Sequence, residues 1–359
     1  MCGNTTSTSI LLIYTGGTIG MVENPATGAL EPLDFAYLYD NIPEMKRLAC
    51  QIDIKQVDPP IDSSTISIEN WINMASLIQQ HYDLYDGFVI LHGTDTMSFS
   101  ASALSFMLQG LTKPVIFTGS QLPIGRLRTD GKENLLTAIE IAAAKREDGS
   151  ARVPEVCIFF QDYLMRGNRT SKVSADKFRA FKSHNYPQLA FAGIDIHYNE
   201  GVIHRDAQHH ELKVLSTLDP NVAILKLFPG ITRPIVEAIL GVPNLKGVIL
   251  ETFGSGNAPK FEWFTECLAE ATARGMVIVN VTQCTTGTVD MSRYETGRQL
   301  HAAGVVCGYD MTSESAVTKM MYLLGQGLEV NRVRELMGTP LRGEMNLSLD
   351  HEDFYCWRR

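Results

Sequence analysis

Residues 10–20 read ILLIYTGGTIG and residues 87–97 read GFVILHGTDTM, and the pattern they share indicates the architecture of the chain. In each stretch, an apolar run typical of a buried strand ends in a turn of glycine and threonine. In an open α/β sheet, ligands bind in the crevice beyond the carboxyl ends of the strands. Two hydroxyl-bearing turns at that edge can supply a nucleophile and the group that activates it.

Apolar runs alternate with amphipathic stretches over the rest of the chain. Short, continuously apolar strands are expected where helices cover both faces of a sheet. The alternation therefore predicts an α/β fold with mostly parallel sheets between helices. The predicted strands are Ile10–Tyr14, Phe88–Leu91, Val115–Thr118, Val156–Phe160, Val222–Leu227, Val248–Glu251 and Val277–Val281, and the predicted helices are Ile68–Tyr82, Met97–Leu108, Lys132–Lys145, Thr232–Leu240, Phe261–Arg274 and Ser313–Leu324.

The length of 359 residues exceeds the usual size of one domain and predicts two. A polar, charge-rich stretch from about Tyr198 to Pro220 interrupts the alternation and is typical of a connection between domains. We therefore predict a larger N-terminal domain over residues 1–205, a linker over 206–221 and a smaller C-terminal domain over 222–359.

Composition limits the function and the setting of the protein. The formal net charge of −9 argues against a nucleic-acid partner. The seven cysteines form no C-x-x-C pair, which predicts reduced thiols in the cytoplasm, and no metal-ligand spacing is present, so we predict no metal. The first residues lack the features of a signal peptide, and no apolar run approaches the roughly 20 residues that span a bilayer, so we predict no membrane association.

The two turns allow a structural and a chemical interpretation. Residues 15–20 depart from the dinucleotide fingerprint G-x-G-x-x-G because position 15 is threonine, which leaves a tight strand-to-helix turn or a threonine nucleophile presented on glycine. In the second turn, Asp95 or Thr96 could cap the following helix. We interpret His92 as a core histidine with a backbone partner.

Two further segments have similar alternatives. Residues 62–64 read Asp-Ser-Ser; Ser64 or Ser67 could cap the following helix, or the carboxylate and hydroxyls could bind a zwitterionic amino acid. Lys172 follows a buried strand in a polar loop, where a lysine is usually solvated and becomes catalytic only when its surroundings favour the neutral form.

Together these segments resemble the bacterial-type L-asparaginases over nearly the whole chain. The type I, cytoplasmic branch of that family is the most similar. The segments that carry the resemblance are Tyr14–Gly20, Leu91–Met97, Thr118–Pro123, Asn168–Lys172 and Glu251–Pro259, with Asp62–Ser64, Gln283–Cys284 and Gly308–Thr312 indicating the branch.

The resemblance implies a two-domain asparaginase-like fold and hydrolysis of L-asparagine without a metal or organic cofactor. Thr18 matches the nucleophile, and Thr94, Asp95 and Lys172 match a second catalytic group. A homo-oligomer, dimer or tetramer, is implied because Asn257 matches a residue that a neighbouring subunit supplies. The predicted substrate-binding residues are Asp62, Ser63, Ser64, Thr94, Asp95, Ser120 and Asn257, and the predicted residues of a second, regulatory asparagine site are Ser171 and Cys284.

The sequence also departs from the family pattern. The lid segment over residues 21–32 lacks the family's tyrosine, and Tyr37 and Tyr39 follow later; Thr27, a water or the Lys172 group could activate Thr18 instead. Glu251 stands where a regulated member carries a basic residue. Two alternatives stay open, an ammonia-generating amidase subunit of a tRNA-dependent amidotransferase and a non-catalytic amino-acid sensor.

Overall fold

A computed structural model describes residues 8–23, 30–32, 42–205 and 211–347. Contacts between Cα atoms divide the chain into two units. The first contains residues 1–183 and 188–214, and the second contains residues 184–187 and 215–359. The α/β fold, with a larger N-terminal and a smaller C-terminal part, is confirmed.

The first unit is built around an eight-stranded sheet. The strands of this unit are β1 (Thr8–Tyr14), β2 (Met21–Glu23), β3 (Leu30–Pro32), β4 (Cys50–Gln56), β5 (Gly87–Leu91), β6 (Leu108–Gln109), β7 (Val115–Thr118), β8 (Val156–Phe160), β9 (Tyr163–Arg166), β10 (Thr170–Lys172), β11 (Phe181–Ser183), β12 (Ala190–Ala192), β13 (Ile196–Tyr198) and β14 (Lys213–Val214). The order of the sheet is β13-β12-β9-β8-β7-β5-β1-β4. Strands β4, β1, β5, β7 and β8 run parallel, and β9, β12 and β13 each run antiparallel to their neighbours.

Among the residues that the structure describes, three α-helices flank this sheet, at the positions where amphipathic stretches predicted them: α1 (Ile68–His81), α2 (Met97–Met107) and α3 (Gly131–Ala143). Strand β1 lies between β4 and β5, and β5 is buried along its whole length. Strand β4 was not predicted, because its alternating residues are half-exposed at the edge of the sheet. Burial of the central strands holds the turns after β1 and β5 next to each other.

The second unit contains a four-stranded parallel sheet in the order β15-β16-β17-β18. An apolar core that includes Leu250, Phe264 and Ile278 fills the space between this sheet and its helices. The elements are β15 (Val222–Lys226), α4 (Arg233–Leu240), β16 (Gly247–Thr252), α5 (Glu262–Ala273), β17 (Val277–Thr282), α6 (Glu295–Ala302), β18 (Val306–Cys307), α7 (Ser313–Gly325) and α8 (Val330–Met337).

Candidate active site

The two glycine-threonine turns touch each other at the carboxyl edge of the first sheet. Tyr14 is opposite Leu91 in the parallel pairing of β1 and β5, so the chain leaves both strands at the same level. A Cβ added at Gly17 would lie 2.5 Å from the Cα of Gly93, and one added at Gly16 would lie 2.1 Å from the carbonyl oxygen of Ile61. Only glycine permits this approach, and both residues have positive φ.

Gly16 and Gly17 are packed against protein backbone. The space beside each Cα is filled by neighbouring backbone, from Ile61 and Gly93. The glycines therefore bring three loops together, and the substrate must meet side chains and backbone elsewhere on those loops.

The two threonines of the first turn have different surroundings. Thr15 is buried, and both its backbone N–H and its Oγ1 donate to the carbonyl oxygen of Leu91, at 3.0 and 2.9 Å. Thr18 is partly exposed and begins a one-turn 3-10 helix after Gly17. Thr15 therefore fixes the turn, while Thr18 is the threonine of this turn with access to solvent.

The segment of Asp62, Ser63 and Ser64 forms the third loop. Asp62 caps a short 3-10 helix, and its Oδ1 accepts the backbone N–H of Ser64 at 2.9 Å. Ser63 is buried and its Oγ lies beside Gly93, where an added Cβ would approach it to 2.4 Å. Helix α1 begins after Ser67, so of the two predicted capping residues Ser67 caps the helix and Ser64 does not.

His92 is a core histidine with a backbone partner, as the sequence indicated. Its Nδ1 lies 2.7 Å from the carbonyl oxygen of Gly93 and its Nε2 lies 2.9 Å from Ser100 Oγ, which accepts the indole N–H of Trp71 at 2.9 Å. Because the carbonyl can only accept, Nδ1 carries the hydrogen and Nε2 accepts from Ser100. Burial lowers the pKa of His92 to about 4, so the ring is neutral near pH 7.

Lys172 meets the second turn. Its Nζ lies 2.8 Å from Thr94 Oγ1 and 2.7 Å from Asp95 Oδ1, although 77 or more positions separate these residues in the chain. The Asp95 side chain is 63 % exposed and that of Lys172 is 20 % exposed. Thr96 precedes helix α2, but its hydroxyl donates to the carbonyl oxygen of Ser63 instead of capping the helix. The hydroxyl and the carboxylate of the second turn thus lie within hydrogen-bond distance of the amine of Lys172.

The loop after β7 completes the described part of this edge. Ser120 is buried, and its hydroxyl donates to the carbonyl oxygen of Leu122 at 2.5 Å. The carboxylate of Asp130 accepts the backbone N–H groups of Gln121 and Leu122, at distances of 3.0 to 3.1 Å. Asn134 donates to the carbonyl oxygen of Gly119 at 2.9 Å. Asp130 and Asn134 therefore hold the loop, and sequence analysis missed both because nothing in the motif links it to helix α3.

The remaining predicted residues are described within their own units. Ser171 belongs to the first unit and pairs with Lys182 between β10 and β11. In the second unit, Asn257 Oδ1 accepts the hydroxyl hydrogen of Thr296 at 3.0 Å, and Cys284 is exposed. Glu251 Oε1 accepts a hydrogen bond from Ser313 Oγ at 2.6 Å, and its Oε2 lies 3.5 Å from Lys226 Nζ. Thr27, Tyr37 and Tyr39 lie outside the described residues.

The described part of the chain contains neither a metal-binding cluster nor a membrane-spanning helix. Among its histidine, cysteine, aspartate and glutamate side chains, no group of three or more is arranged to hold a metal ion. No helix in that part is both long enough and apolar enough to cross a membrane.

Comparisons with known proteins give the family. Residues 9–204 match the family described as "Asparaginase, N-terminal", and residues 221–337 match the "Glutaminase/Asparaginase C-terminal domain". The chain is 44% identical to L-asparaginase 1 of Escherichia coli, over 94% of this chain and 98% of that protein. The crystal structure of L-asparaginase I from Vibrio cholerae superimposes with a TM-score of 0.86 at 41% identity, covering 95% of this chain and 99% of that one.

A longer relative matches as well. The chain is 42% identical to the "60 kDa lysophospholipase" of Mus musculus, over 94% of this chain, and spans 62% of the length of that relative. Both family matches together cover most of the sequence, and the N-terminal match contains the two turns and Lys172. The chain belongs to the asparaginase family.

Proposed function

We propose that this protein hydrolyses L-asparagine to L-aspartate and ammonia through an ester on Thr18. The hydroxyl oxygen of Thr18 attacks the side-chain amide carbon, and the C–N bond breaks as the nitrogen gains the proton that Thr18 loses. Ammonia leaves, and water adds to the ester carbon. One proton of that water returns to the oxygen of Thr18 as aspartate departs. Such covalent catalysis divides one difficult amide cleavage into two easier steps.

The meeting of Lys172 with Thr94 and Asp95 is the observation that carries this proposal. An amine 2.8 Å from a hydroxyl is within the range for proton transfer between them. In its neutral form Lys172 takes the proton of Thr94, and Thr94 then positions or activates the attacking group. A binding protein has no need of an amine held against a hydroxyl in this way.

The loops that meet at this edge suit a small zwitterion. Asp62 and Asp95 provide carboxylates for an α-ammonium group, and the latter is 63 % exposed. Ser63, Ser64 and Ser120 add hydroxyl and backbone N–H donors for an α-carboxylate and for the oxyanion of the tetrahedral intermediate. We assign these five residues to substrate binding, together with Thr94.

We further propose a homo-oligomer, dimer or tetramer, in which Asn257 of one chain completes the site of another. Light scattering across protein concentrations measures the assembly. Mixing an Asn257→Ala variant with a Thr18→Ala variant tests whether one site takes residues from two chains. A mixed oligomer then contains sites with Thr18 from one chain and Asn257 from the other, and these sites restore activity. Activity that stays at the sum of the two separate variants contradicts this arrangement.

Cooperative binding of asparagine at a second site lined by Ser171 and Cys284 is the finer proposal. A saturation curve measures it directly, because cooperativity makes the curve sigmoidal. A curve that is hyperbolic over the whole range of asparagine concentrations contradicts this proposal and leaves the proposed hydrolysis unaffected.

We also propose that the protein works in the cytoplasm, because the five described cysteines are free thiols.

Ammonia release from purified protein tests the activity. Thr18→Ala is expected to lose at least about 1,000-fold in kcat/KM, as removal of a covalent nucleophile does. Thr265→Ala is the matched control, since its hydroxyl only donates to the carbonyl oxygen of Glu262 within helix α5. Parent-rate activity in Thr18→Ala contradicts the proposal.

The same preparation separates the alternatives. An amino-acid sensor binds asparagine and releases no ammonia, and an amidase subunit copurifies with an amidotransferase partner. Glutamine and a lysophospholipid serve as the competing substrates, the second because of the name of the mouse relative. Release of fatty acid without release of ammonia would replace the present proposal.

A further inference from the structure

The side chain of Gln121 connects the turn that carries Thr94 to the hairpin that carries Lys172. Its Nε2 lies 3.2 Å from the carbonyl oxygen of Ala175 and 3.1 Å from that of Lys177. Its Oε1 lies 3.3 Å from Thr94 Oγ1. One amide group therefore contacts two separate loops of the first unit.

These contacts fix the direction of every hydrogen bond around Thr94. The carbonyl oxygens of Ala175 and Lys177 can only accept, so the amide nitrogen of Gln121 must face them and its oxygen must face Thr94. That oxygen also only accepts, so the single hydroxyl hydrogen of Thr94 points to Gln121. Lys172 is then the donor in its own contact with Thr94, at 2.8 Å.

The backbone of Gln121 is held by the carboxylate of Asp130. Its backbone N–H lies 3.1 and 3.0 Å from the two carboxylate oxygens of Asp130. Asp130 is 8% exposed and lies at the start of helix α3. The amide therefore projects from a loop that is anchored to a helix, which is the property a positioning group requires.

The loop of the hairpin that it contacts begins directly after Lys172. Strands β10 and β11 form this hairpin, with Lys172 opposite Phe181. The backbone N–H of Val173 donates to the carbonyl oxygen of Ala180 at 2.7 Å, and that of Lys177 donates to Ser174 Oγ at 3.0 Å. Gln121 adds the two bonds that join the end of the hairpin to the loop after β7.

We propose that Gln121 is a positioning residue that clamps the hairpin of Lys172 and directs the hydroxyl of Thr94. The amide holds the amine and the hydroxyl at their observed separation. The hydrogen bond from Thr94 to Gln121 must therefore break before Thr94 can give its proton to a neutral Lys172. The kinetic part of this proposal rests on the proposed hydrolysis, whereas the clamp itself does not.

Two variants separate the two contacts of the amide. Gln121→Met keeps the length of the side chain and removes both the donor and the acceptor. Gln121→Glu keeps an acceptor for Thr94 and turns its second oxygen towards the two carbonyls. Gln80→Met is the matched control, because Gln80 is exposed on helix α1 and its Nε2 donates only to Ser76 Oγ.

Hydrogen–deuterium exchange and steady-state kinetics are measured on all four proteins. Exchange over residues 173–180 is expected to accelerate in both Gln121 variants and to stay at the parent rate in Gln80→Met. For Gln121→Met, kcat is expected to fall about 10- to 100-fold while KM changes by less than about threefold, because a misplaced group slows the chemical step more than binding. Gln121→Glu is expected to have a kcat between that of Gln121→Met and that of the parent.

The outcomes are distinguishable. Parent-like exchange over residues 173–180 in Gln121→Met overturns the clamp, and a parent-like kcat, or an equal loss in kcat and 1/KM, overturns the positioning role. If the parent protein releases no ammonia, the proposed function fails while the exchange experiment still decides the clamp. Thermal unfolding of each variant shows that it is folded.

Discussion

The carboxyl edges of the two sheets both carry polar side chains but use them differently. At the first edge, Lys172 meets the hydroxyl of Thr94 and a carboxylate of Asp95 that is 63 % exposed. At the second edge, Gln283 Nε2 donates to the backbone carbonyl oxygens of Leu227 and Glu251, at 2.7 and 2.8 Å. A polar sheet edge is therefore not by itself a site: the second edge uses its donors to join strands, while the first holds an amine against the hydroxyl of a partly exposed threonine.

Replacing the lysine at each edge tests this difference most strongly. Lys172→Met is expected to lower kcat/KM for ammonia release by about 100- to 10,000-fold, the range for removal of a general acid or base. Lys226→Met is its counterpart at the second edge, where the lysine is 65% exposed and only 3.5 Å from Glu251. It is expected to stay within about twofold of the parent, because exposed ion pairs contribute little. Equal losses in the two variants would show that the edges do not differ.

The groups beneath the two edges predict a different response to acid. Under the first edge lies His92, whose pKa burial lowers from 6.5 to about 4, while under the second lie Thr252 and Asn280, joined by a 2.7 Å hydrogen bond and not titratable. Between pH 6.5 and 4 the unfolded chain binds the proton that folded His92 refuses, so stability is present above pH 6.5 and is lost as pH falls towards 4. The whole loss from this group is about 3 kcal/mol.

Urea unfolding of the parent and of His92→Gln at fixed protein concentration measures this effect between pH 7 and pH 4.5. The parent is expected to lose up to about 1.4 kcal/mol more per pH unit than the variant, which lacks the titrating ring. Carboxylates elsewhere act on both proteins alike and cancel in the difference. Parallel slopes would contradict the burial argument.

The close contact between the loops at Gly93 predicts a smaller change in the free energy of unfolding. In Gly93→Ala the new methyl group would lie 2.4 Å from Ser63 Oγ, so Ser63 or the turn must move, with an expected loss of about 1–3 kcal/mol in the free energy of unfolding. Gly201→Ala is the control, because nothing lies within 4 Å of its added Cβ. Activity of Gly93→Ala should fall together with its stability. A variant as stable as Gly201→Ala would show that the loops are not tightly packed at this point.

The sequence predicted what local pattern can encode. The apolar runs before Thr18 and Thr94 predicted that both turns lie at one edge of the sheet. The polar loop that contains Lys172 was assigned a role only through the resemblance to a family. Neither route predicted Gln121, because its partners depend on where the hairpin after Lys172 folds. Helices α6 and α8 were also missed, since both are short and rich in polar residues.

The smallest expected effect concerns Ser313, whose hydroxyl donates to the largely buried carboxylate of Glu251. Ser313→Ala removes this one hydrogen bond and is expected to cost about 1 kcal/mol of unfolding free energy, because the net contribution of one such bond is modest. Chemical unfolding measures the cost, and ammonia release should keep the parent kcat and the parent shape of the saturation curve. A changed curve with unchanged stability would mean that Glu251 and Ser313 bind a ligand. The second edge would then be a site in its own right, and the contrast between the two edges would reduce to the kind of ligand that each one takes.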